Sequence, residues 1–344
     1  MRVEELGLED WGELLPARGF DVFHTQEALD VIDRHSPGDL RLFGGFKGER
    51  AVGLFPVHVG SKAGGRLLTS PPLRFGIYRL GPILMPASPK QRKQESTNKE
   101  FVRGVLDSVD ADRAFTVFRT VCSPRYGDTR PFTWSGFDVT PSYTYQLDLA
   151  DATPDQLLQS FSRGLRYDIR SRDDVDVSIR RAGMDAAERT YRSIAVRYSE
   201  QNRRVPLQWG FVRDLLDALG EDRSRVYVAE SADGKFLSGM IILYSNDTAY
   251  FWNGGVKTTQ ASVSPNSLLH WRIIEDILTD PALEAIDQYD LYTANDERLV
   301  AYKSGFGGTL TVYYTIESKN TLMTVAKRAY RTLSSGALPL RKES

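Results

Sequence analysis

The order of the elements predicted in the second half of the chain constrains its fold more than any other feature. Three consecutive strands are expected at 225–230, 236–244 and 249–254, and the turns between them carry Asp-Gly and Asn-Asp. Short turns of this composition join antiparallel strands. A helix, a strand, a short helix and a closing strand follow at 265–278, 286–292, 295–304 and 309–316. Antiparallel hairpins that lead into a β-α-β-α-β run predict a mixed sheet with helices on its faces.

The remaining segments predict a second, degenerate unit of the same kind. Upstream of the hairpins we expect a helix at 154–172, a strand at 175–181 and helices at 184–200 and 207–219. The first half opens with a helix at 25–34, capped by Thr25, and a hairpin of strands at 40–46 and 51–59. A helix at 91–109 and a buried strand at 114–121 follow. The intervening 64–86 is rich in Gly and Pro, and either lines a groove or forms a long meander.

Chain length and this repetition together predict two domains. The 344 residues exceed what one hydrophobic core usually fills. We expect a degenerate first domain at 1–150 and a second domain at 151–318, each a mixed, largely antiparallel sheet flanked by helices. The basic, amphipathic tail at 319–344 either packs on the second domain or makes peripheral contact with a membrane.

Composition argues against several classes of protein. The formal net charge is -1, which is unlike a general nucleic-acid coat protein. The acids that follow Met1 are unlike a signal peptide, no apolar run reaches membrane-spanning length, and Cys122 is the only cysteine. These features predict a cytoplasmic protein in a reducing compartment. The four histidines lack the spacing of metal ligands, so no metal is expected.

A lysine stands near the end of the 295–304 helix, just before a tight glycine turn. Residues 302–308 read Tyr-Lys-Ser-Gly-Phe-Gly-Gly, and the preceding strand contains Asp290. A cation beside the amides of such a turn can stabilise negative charge that develops on a carbonyl oxygen. Most lysines are solvated at the surface, and this alternative for Lys303 stays open. Asp290 can accept a proton, cap the following helix or pair with Arg298.

Arginines form a row on one predicted helix. Arg163, Arg166 and Arg170 follow a spacing that puts them on one helix face. From 163 to 204 the chain carries eleven arginines against seven acids. Planar guanidinium groups in such a row suit phosphate or carboxylate ligands. The alternative is a solvated helix face whose arginines pair with Asp168 and Asp173.

Three stretches of the second half together resemble a known family. In the first stretch, at 163–182, the arginine helix precedes a strand that ends Arg-Arg-Ala. The second, at 250–271, contains Tyr-Phe-Trp-Asn-Gly-Gly and then Pro-Asn-Ser-Leu-Leu-His-Trp. The third, at 289–307, closes with Tyr-Lys ahead of Phe-Gly. In this order they resemble the acyltransferase domain of the Fem family of peptidyltransferases. That family belongs to the GNAT-like superfamily and carries two GNAT-type folds in tandem. The resemblance covers 150–316 and is much vaguer over 20–125.

The resemblance implies an enzyme that transfers an acyl or aminoacyl group to an amine or hydroxyl group. Lys303 would stabilise the developing oxyanion, and Asp290 would accept the amine proton. The implied acceptor is an anionic nucleotide- or lipid-linked glycan or peptide precursor of the cell envelope. The residues expected to bind the substrates are Arg166, Arg170, Arg203, Tyr198, Tyr250, Trp252, Tyr302 and Asn266. Aromatic residues in such positions more often serve packing, and this alternative stays open for each of them.

The sequence leaves the acyl donor open. Acetyltransferases of the superfamily carry a glycine-rich pyrophosphate loop where 260–265 read Gln-Ala-Ser-Val-Ser-Pro, and the coiled-coil arm of some Fem proteins is also missing. The donor is therefore expected to be an acyl-CoA or an aminoacyl-tRNA. Two alternatives remain beside the Fem-like enzyme. One is a non-catalytic module that binds RNA or a nucleotide-sugar through the arginine face, and the other is a plain acyl-CoA N-acetyltransferase.

Overall fold

The computed structural model describes residues 1–62, 64–256 and 263–319. The strands are β1 Arg2–Leu6, β2 Asp39–Lys47, β3 Arg50–Lys62, β4 Gly65–Ser70, β5 Ile83–Leu84, β6 Thr116–Val121, β7 Phe137–Asp148, β8 Val177–Ala182, β9 Ser224–Ser231, β10 Phe236–Tyr244, β11 Thr248–Gly254, β12 Gln288–Asp290 and β13 Thr309–Ser318. The helices are α1 Leu8–Leu14, α2 Gln26–His35, α3 Gln91–Ser108, α4 Arg130–Trp134, α5 Pro154–Ser160, α6 Arg163–Arg170, α7 Met184–Glu200, α8 Trp209–Arg223, α9 Pro265–Thr279 and α10 Glu297–Ser304.

The described strands form one mixed sheet, flanked by helices as predicted. Its order is β1-β2-β3-β4-β6-β13-β7-β12-β11-β10-β9-β8, and β5 pairs with β3 beside this path. Each half repeats one pattern, because antiparallel hairpins lead into a parallel pair, β4 with β6 and β11 with β12. This repetition agrees with the predicted tandem arrangement of two related folds.

Two long strands join the halves at the centre of the sheet. β13 pairs with β7 along its whole length, and residues Thr315 to Glu317 also pair with β6. β7 pairs in turn with β12. The division into domains at 150 and 318 stays a prediction. Residues 257–262, which include the first half of the loop position at 260–265, and 320–344, which include most of the expected tail, lie outside the described residues.

The largest core cluster also contains residues of both halves. Phe23 and Leu29 from the first half pack with Phe211, Leu215 and Trp252 from the second. A second cluster lies on the opposite face of the sheet, where α5, α6 and α9 cover β9 to β12. Alternation along β10 produces this division, since Ile241 and Leu243 face the first cluster and Met240 and Ile242 the second.

Local predictions succeeded where turn chemistry was explicit. Thr25 caps α2 by accepting from the Ala28 amide, and α7 spans the predicted 184–200. The predicted helix at 154–172 was wrong, because it is two helices. Ser162 caps α6 and donates its backbone N–H to the Gly305 oxygen at 2.7 Å, which fixes a break between α5 and α6. The elements β1 and α1 were missed, and 64–86 contains two strands, β4 and β5.

The turn after α10 generates a stability prediction. Gly307 has φ +68°, and a Cβ atom there would lie 2.7 Å from the Ser160 backbone oxygen. Gly234, between β9 and β10, has φ +77° but open space around it. Gly234→Ala is expected to cost about 1–2 kcal/mol for its left-handed backbone. Gly307→Ala should cost about 1–3 kcal/mol more because of the backbone clash. Urea unfolding of both variants measures the difference, and equal losses would contradict this packing.

Candidate active site

Two parallel strands separate at the centre of the second half. β11 and β12 are paired only from Thr248 with Gln288 to Tyr250 with Asp290. Beyond this point β11 continues to Gly254, whereas the chain leaves β12 and enters the loop at 291–296. The carboxyl ends of strands in α/β sheets are where functional groups tend to converge. The gap between Phe251 and Leu291 is therefore a candidate position for a site.

The ammonium group of Lys303 lies in this gap. The side chain is 7% exposed, and its Nζ donates to the backbone oxygens of Leu291 and Thr293, both at 2.6 Å. The same nitrogen lies 5.8 Å from the centroid of the Phe251 ring. Burial lowers the pKa of Lys303 to about 8, and the charge of Asp290 acts in the opposite direction. Lys303 is thus a buried, partnered cation and not a solvated surface lysine.

The glycine turn fixes the helix that carries Lys303. Asp296 caps α10 by accepting from the Arg298 amide at 3.0 Å, and the helix ends at Gly305. A Cβ atom on Gly305 would lie 3.0 Å from the Ser162 hydroxyl, so glycine permits the close approach of α6. Phe306 packs against Phe161 with ring centroids 5.4 Å apart. The turn with the sequence Gly-Phe-Gly-Gly therefore allows α10 to pack closely against α5 and α6.

Asp290 is fully buried, and both of its carboxylate oxygens have partners. It accepts from the Thr144 hydroxyl at 2.6 Å, the Gln146 amide group at 3.1 Å and the Tyr292 N–H at 2.7 Å. Its Oδ2 also lies 2.9 Å from Nη1 of Arg79. Three hydrogen bonds and this ion pair therefore engage both carboxylate oxygens. Asp296, not Asp290, caps α10 and pairs with Arg298.

A buried arginine from the first half reaches this region and was missed by the sequence analysis. Arg79 is 1% exposed and lies between Asp290 and Asp21, whose Oδ2 is 3.5 Å from its Nε. Its guanidinium carbon lies 4.9 Å from the centroid of the Tyr292 ring and 5.4 Å from that of Tyr313. Desolvation raises the pKa of Asp21 to about 6, and the charge of Arg79 opposes this shift. The sequence offered only one indication of this role, which is that an arginine lies within the Gly- and Pro-rich segment 64–86.

Two of the predicted aromatic residues pack the halves together. Tyr250 is buried, with its hydroxyl 3.3 Å from that of Ser245 and 3.4 Å from the Phe20 oxygen. The Trp252 indole donates to the Gly76 oxygen at 2.9 Å, and its ring lies edge-on to Phe23. Both side chains face the core that the two halves share, which supports the packing alternative for them.

Arg203 and Tyr198 lie beside the 291–296 loop. The Arg203 guanidinium carbon is 5.3 Å from the centroid of the Tyr198 ring, and Arg203 is exposed. Bonds from Arg298 lower the pKa of Asp296, and the charge of Arg203 adds to this shift. Tyr78, which is 40% exposed, packs edge-on against Tyr292 at 4.8 Å. An exposed cation and aromatic rings therefore meet where β12 ends.

The α6 arginines belong to the opposite face of the sheet. Arg166 donates to the Gln159 oxygen at 2.9 Å and Arg170 is exposed. In the described part of the chain, Arg163, Arg166 and Arg170 have no carboxylate within ion-pair distance. The proposed partners are engaged elsewhere, since Asp168 accepts from the Ser267 hydroxyl at 2.8 Å and Asp173 lies 3.8 Å from Arg172. The predicted binding residues are thus divided between two faces.

Asn266, Tyr302 and His270 occupy the region between α9 and the end of β11. Asn266 donates to the Gly255 oxygen at 2.9 Å and accepts from the Ser238 hydroxyl at 2.7 Å, which ties the start of α9 to the sheet. Tyr302 packs edge-on against Phe306 at 5.3 Å. Burial lowers the pKa of His270 to about 3, and its Nδ1 lies 2.7 Å from the Tyr289 hydroxyl. His270 is 1% exposed and is therefore a packed core residue.

Comparison with known proteins relates part of the chain to a known domain and its fold to solved structures. Residues 159–304 match the family described as acetyltransferase (GNAT) domain. FemX is similar in structure, with 12% identity, a TM-score of 0.65 and coverage of 91% of this chain and 97% of FemX. The C-terminal domain of a putative lysylphosphatidylglycerol synthetase from Agrobacterium fabrum has 13% identity and a TM-score of 0.55, with 92% and 98% of the two chains covered. No curated protein matches the sequence.

The fold and the matched domain define the class of protein. Residues 159–304 form a GNAT-type acyltransferase domain, and the chain as a whole has the fold of FemX. The chain therefore contains a GNAT domain and shares the fold of FemX, which confirms the fold that the resemblance predicted. The described helices include none that is long and apolar enough to cross a membrane.

The buried lysine makes the free energy of unfolding depend on pH. Because burial lowers the pKa of Lys303 from 10.5 to about 8, the folded protein bears the cost of a desolvated charge below pH 8. That cost is relieved as the pH rises from about 8 towards 10.5, where the unfolded chain still binds the proton. Between about pH 7.5 and 9.5, the free energy of unfolding of the wild type should rise by about 2 kcal/mol relative to that of Lys303→Met. Urea unfolding at a series of pH values measures this difference.

A matched substitution controls for general effects of removing a lysine. Lys235 is exposed in the turn between β9 and β10, and Lys235→Met should leave the slope of unfolding free energy against pH unchanged. If the wild type and Lys303→Met have the same slope over this window, the ammonium is not buried in the folded protein.

Proposed function

We propose that the protein is an acyltransferase of the cytoplasm that acts on a cell-envelope precursor. It moves an acyl or aminoacyl group from an acyl-CoA or aminoacyl-tRNA to an amine or hydroxyl group of an anionic, nucleotide- or lipid-linked glycan or peptide. The observation that carries this proposal is the Lys303 ammonium, buried where β11 and β12 separate and held by two backbone oxygens. The name of the lysylphosphatidylglycerol synthetase relative supports transfer of an aminoacyl group to an anionic acceptor.

The geometry of Lys303 suits stabilisation of an oxyanion. An ammonium has three N–H donors, and two of them bind the Leu291 and Thr293 oxygens. The third has no acceptor in the part of the chain that the structure describes, and we assign it to the acyl oxygen, which gains negative charge as the acceptor amine attacks the carbonyl carbon. A donor that is already oriented and desolvated needs no reorganisation during the reaction. With a pKa of about 8 the group stays mostly protonated at neutral pH.

The bonds and protons exchanged in the reaction determine the roles of the remaining groups. The new C–N or C–O bond forms as the bond to the thioester sulfur or to the tRNA ester oxygen breaks, and the proton lost by the acceptor ends on this leaving group. Asp290 already accepts three hydrogen bonds and forms an ion pair with Arg79, so we assign it to anchoring the loop and not to accepting the proton. A second-half cleft that binds both substrates would bring the leaving group close to the acceptor.

The two cationic surfaces suit two anionic substrates. Arg203, stacked near Tyr198 beside the 291–296 loop, is assigned to the acceptor. Arg166 and Arg170, which lack carboxylate partners in the described residues, lie on the opposite face of the sheet and are assigned to the phosphates of the donor. Both acyl-CoA and aminoacyl-tRNA carry such phosphates, and guanidinium groups bind them by charge-assisted hydrogen bonds.

Removing the Lys303 ammonium is expected to slow the chemical step. Lys303→Ala should lower turnover by about 10²–10³-fold, because one preorganised oxyanion donor is lost, while acceptor binding stays nearly unchanged. The assay follows transfer of a radiolabelled group from a panel of acyl-CoAs and aminoacyl-tRNAs to anionic amine acceptors. Lys235→Ala is the control for loss of a lysine. Undiminished turnover in a folded Lys303→Ala variant would rule out this role.

The arginine assignment predicts a different kinetic effect. The double variant Arg166→Gln, Arg170→Gln should raise KM for the donor by about tenfold or more, because charge-assisted hydrogen bonds to phosphate are lost. Its kcat should change much less. Arg192→Gln is a matched control, since Arg192 is exposed on α7 and pairs with Glu188. Donor KM that is unchanged in the double variant would contradict the assignment.

One observation favours a second candidate function. The arginines of α6, which have no carboxylate partner among the described residues, lie on the same helix as Tyr167, which is 66% exposed. Exposed rings beside guanidinium groups suit single-stranded nucleic acid. A non-catalytic RNA-binding module would therefore use this face. Steeply salt-dependent RNA binding without transfer from any donor in the panel would favour this alternative.

A further inference from the structure

Arg79 connects the first half of the chain to the proposed catalytic lysine. We propose that Arg79 is a positioning residue, which holds the Lys303 ammonium in place through Asp290 and the backbone of the 291–293 loop. This inference rests on the proposed role of Lys303. The proposal gives the first half of the chain a role in the reaction, because Arg79 lies in the segment just before β5.

The first step of the connection is the buried ion pair. Arg79 and Asp290 are 1% and 0% exposed, and their closest atoms are 2.9 Å apart. Removal of one partner from such a pair leaves an uncompensated buried charge, which strongly destabilises its surroundings. Thr144 and Gln146 of β7 complete the shell of the carboxylate. The position of Asp290 therefore depends on Arg79.

The second step is the strained residue after β12. Tyr292 has φ +75°, a left-handed conformation that is unfavourable for a bulky residue. Two contacts hold it there. Its N–H donates to Asp290 Oδ1 at 2.7 Å, and its ring lies under the Arg79 guanidinium at 4.9 Å. Arg79 thus acts on Tyr292 both directly and through Asp290.

The third step is the pair of hydrogen bonds that hold the lysine ammonium group. The two oxygens that accept from Lys303 Nζ belong to Leu291 and Thr293, the residues on either side of Tyr292. Their convergence on one nitrogen depends on the dihedral angles of Tyr292. If Tyr292 relaxed to negative φ, the two carbonyl groups would turn apart and the ammonium would lose a partner. The negative charge of Asp290 also favours the protonated form of Lys303.

The test compares two buried arginines. Arg225 is 6% exposed, lies 2.9 Å from Asp280 and packs over the Tyr244 ring, away from the 291–296 loop. In Arg79→Met, hydrogen exchange of the Tyr292 amide should accelerate by about tenfold or more, because its charged acceptor is released. Acetylation of Lys303 by acetic anhydride should also rise relative to Lys235. In Arg225→Met both quantities should change by less than about twofold.

Two outcomes would overturn the proposal. One is unchanged Tyr292 exchange and Lys303 acetylation in the folded Arg79→Met protein, and the other is an equal change in Arg225→Met. If Arg79→Met does not fold, Arg79→Lys keeps the charge but loses the planar fork that spans Asp21 and Asp290, and the same two measurements decide. Neither readout depends on turnover. Turnover that survives Lys303→Ala would overturn the proposed function while leaving the positioning result intact.

Discussion

A lysine ammonium that leaves water needs oxygen partners, and this requirement organises the centre of the protein. The partners of Lys303 are two backbone oxygens that become available only because β12 ends at Asp290 while β11 continues. Under the proposed function, the acyl group would bind next to the charge at this separation. The glycine turn after α10 and the break between α5 and α6 then fix the helix from which the lysine extends.

The two halves of the chain are less independent than a tandem repeat suggests. β7 and β13 run through the middle of one sheet and pair with strands of both halves. The largest core packs α2 against α8, and Trp252 reaches the Gly76 oxygen. Arg79 extends this connection to charged groups, since it pairs with Asp21 of its own half and Asp290 of the other. The first half therefore contributes a buried ion-pair partner for Asp290 as well as residues of the shared core.

Local chemistry explains which parts of the fold were predictable from the sequence. Hairpin turns, the Thr25 cap and Pro265 at the start of α9 are decided by a few neighbouring residues, and these elements were found. The break at Phe161 and Ser162 was not, because it depends on a bond to Gly305 that is distant in sequence. Lys303 was selected through its motif. Its burial could not be foreseen, since it follows from the separation of two strands. Arg79 was missed because both of its carboxylate partners are distant from it in sequence.

The central claim is that Lys303 is a desolvated ammonium held between two carbonyl groups. A direct titration of its Nζ in ¹⁵N-lysine-labelled protein tests this claim, with the signal assigned by its loss in Lys303→Met. A midpoint near 8, well below the ordinary value of 10.5, is the expected result. A midpoint close to that of the exposed lysines would show that the group is solvated, and would remove the physical basis for the proposed oxyanion site.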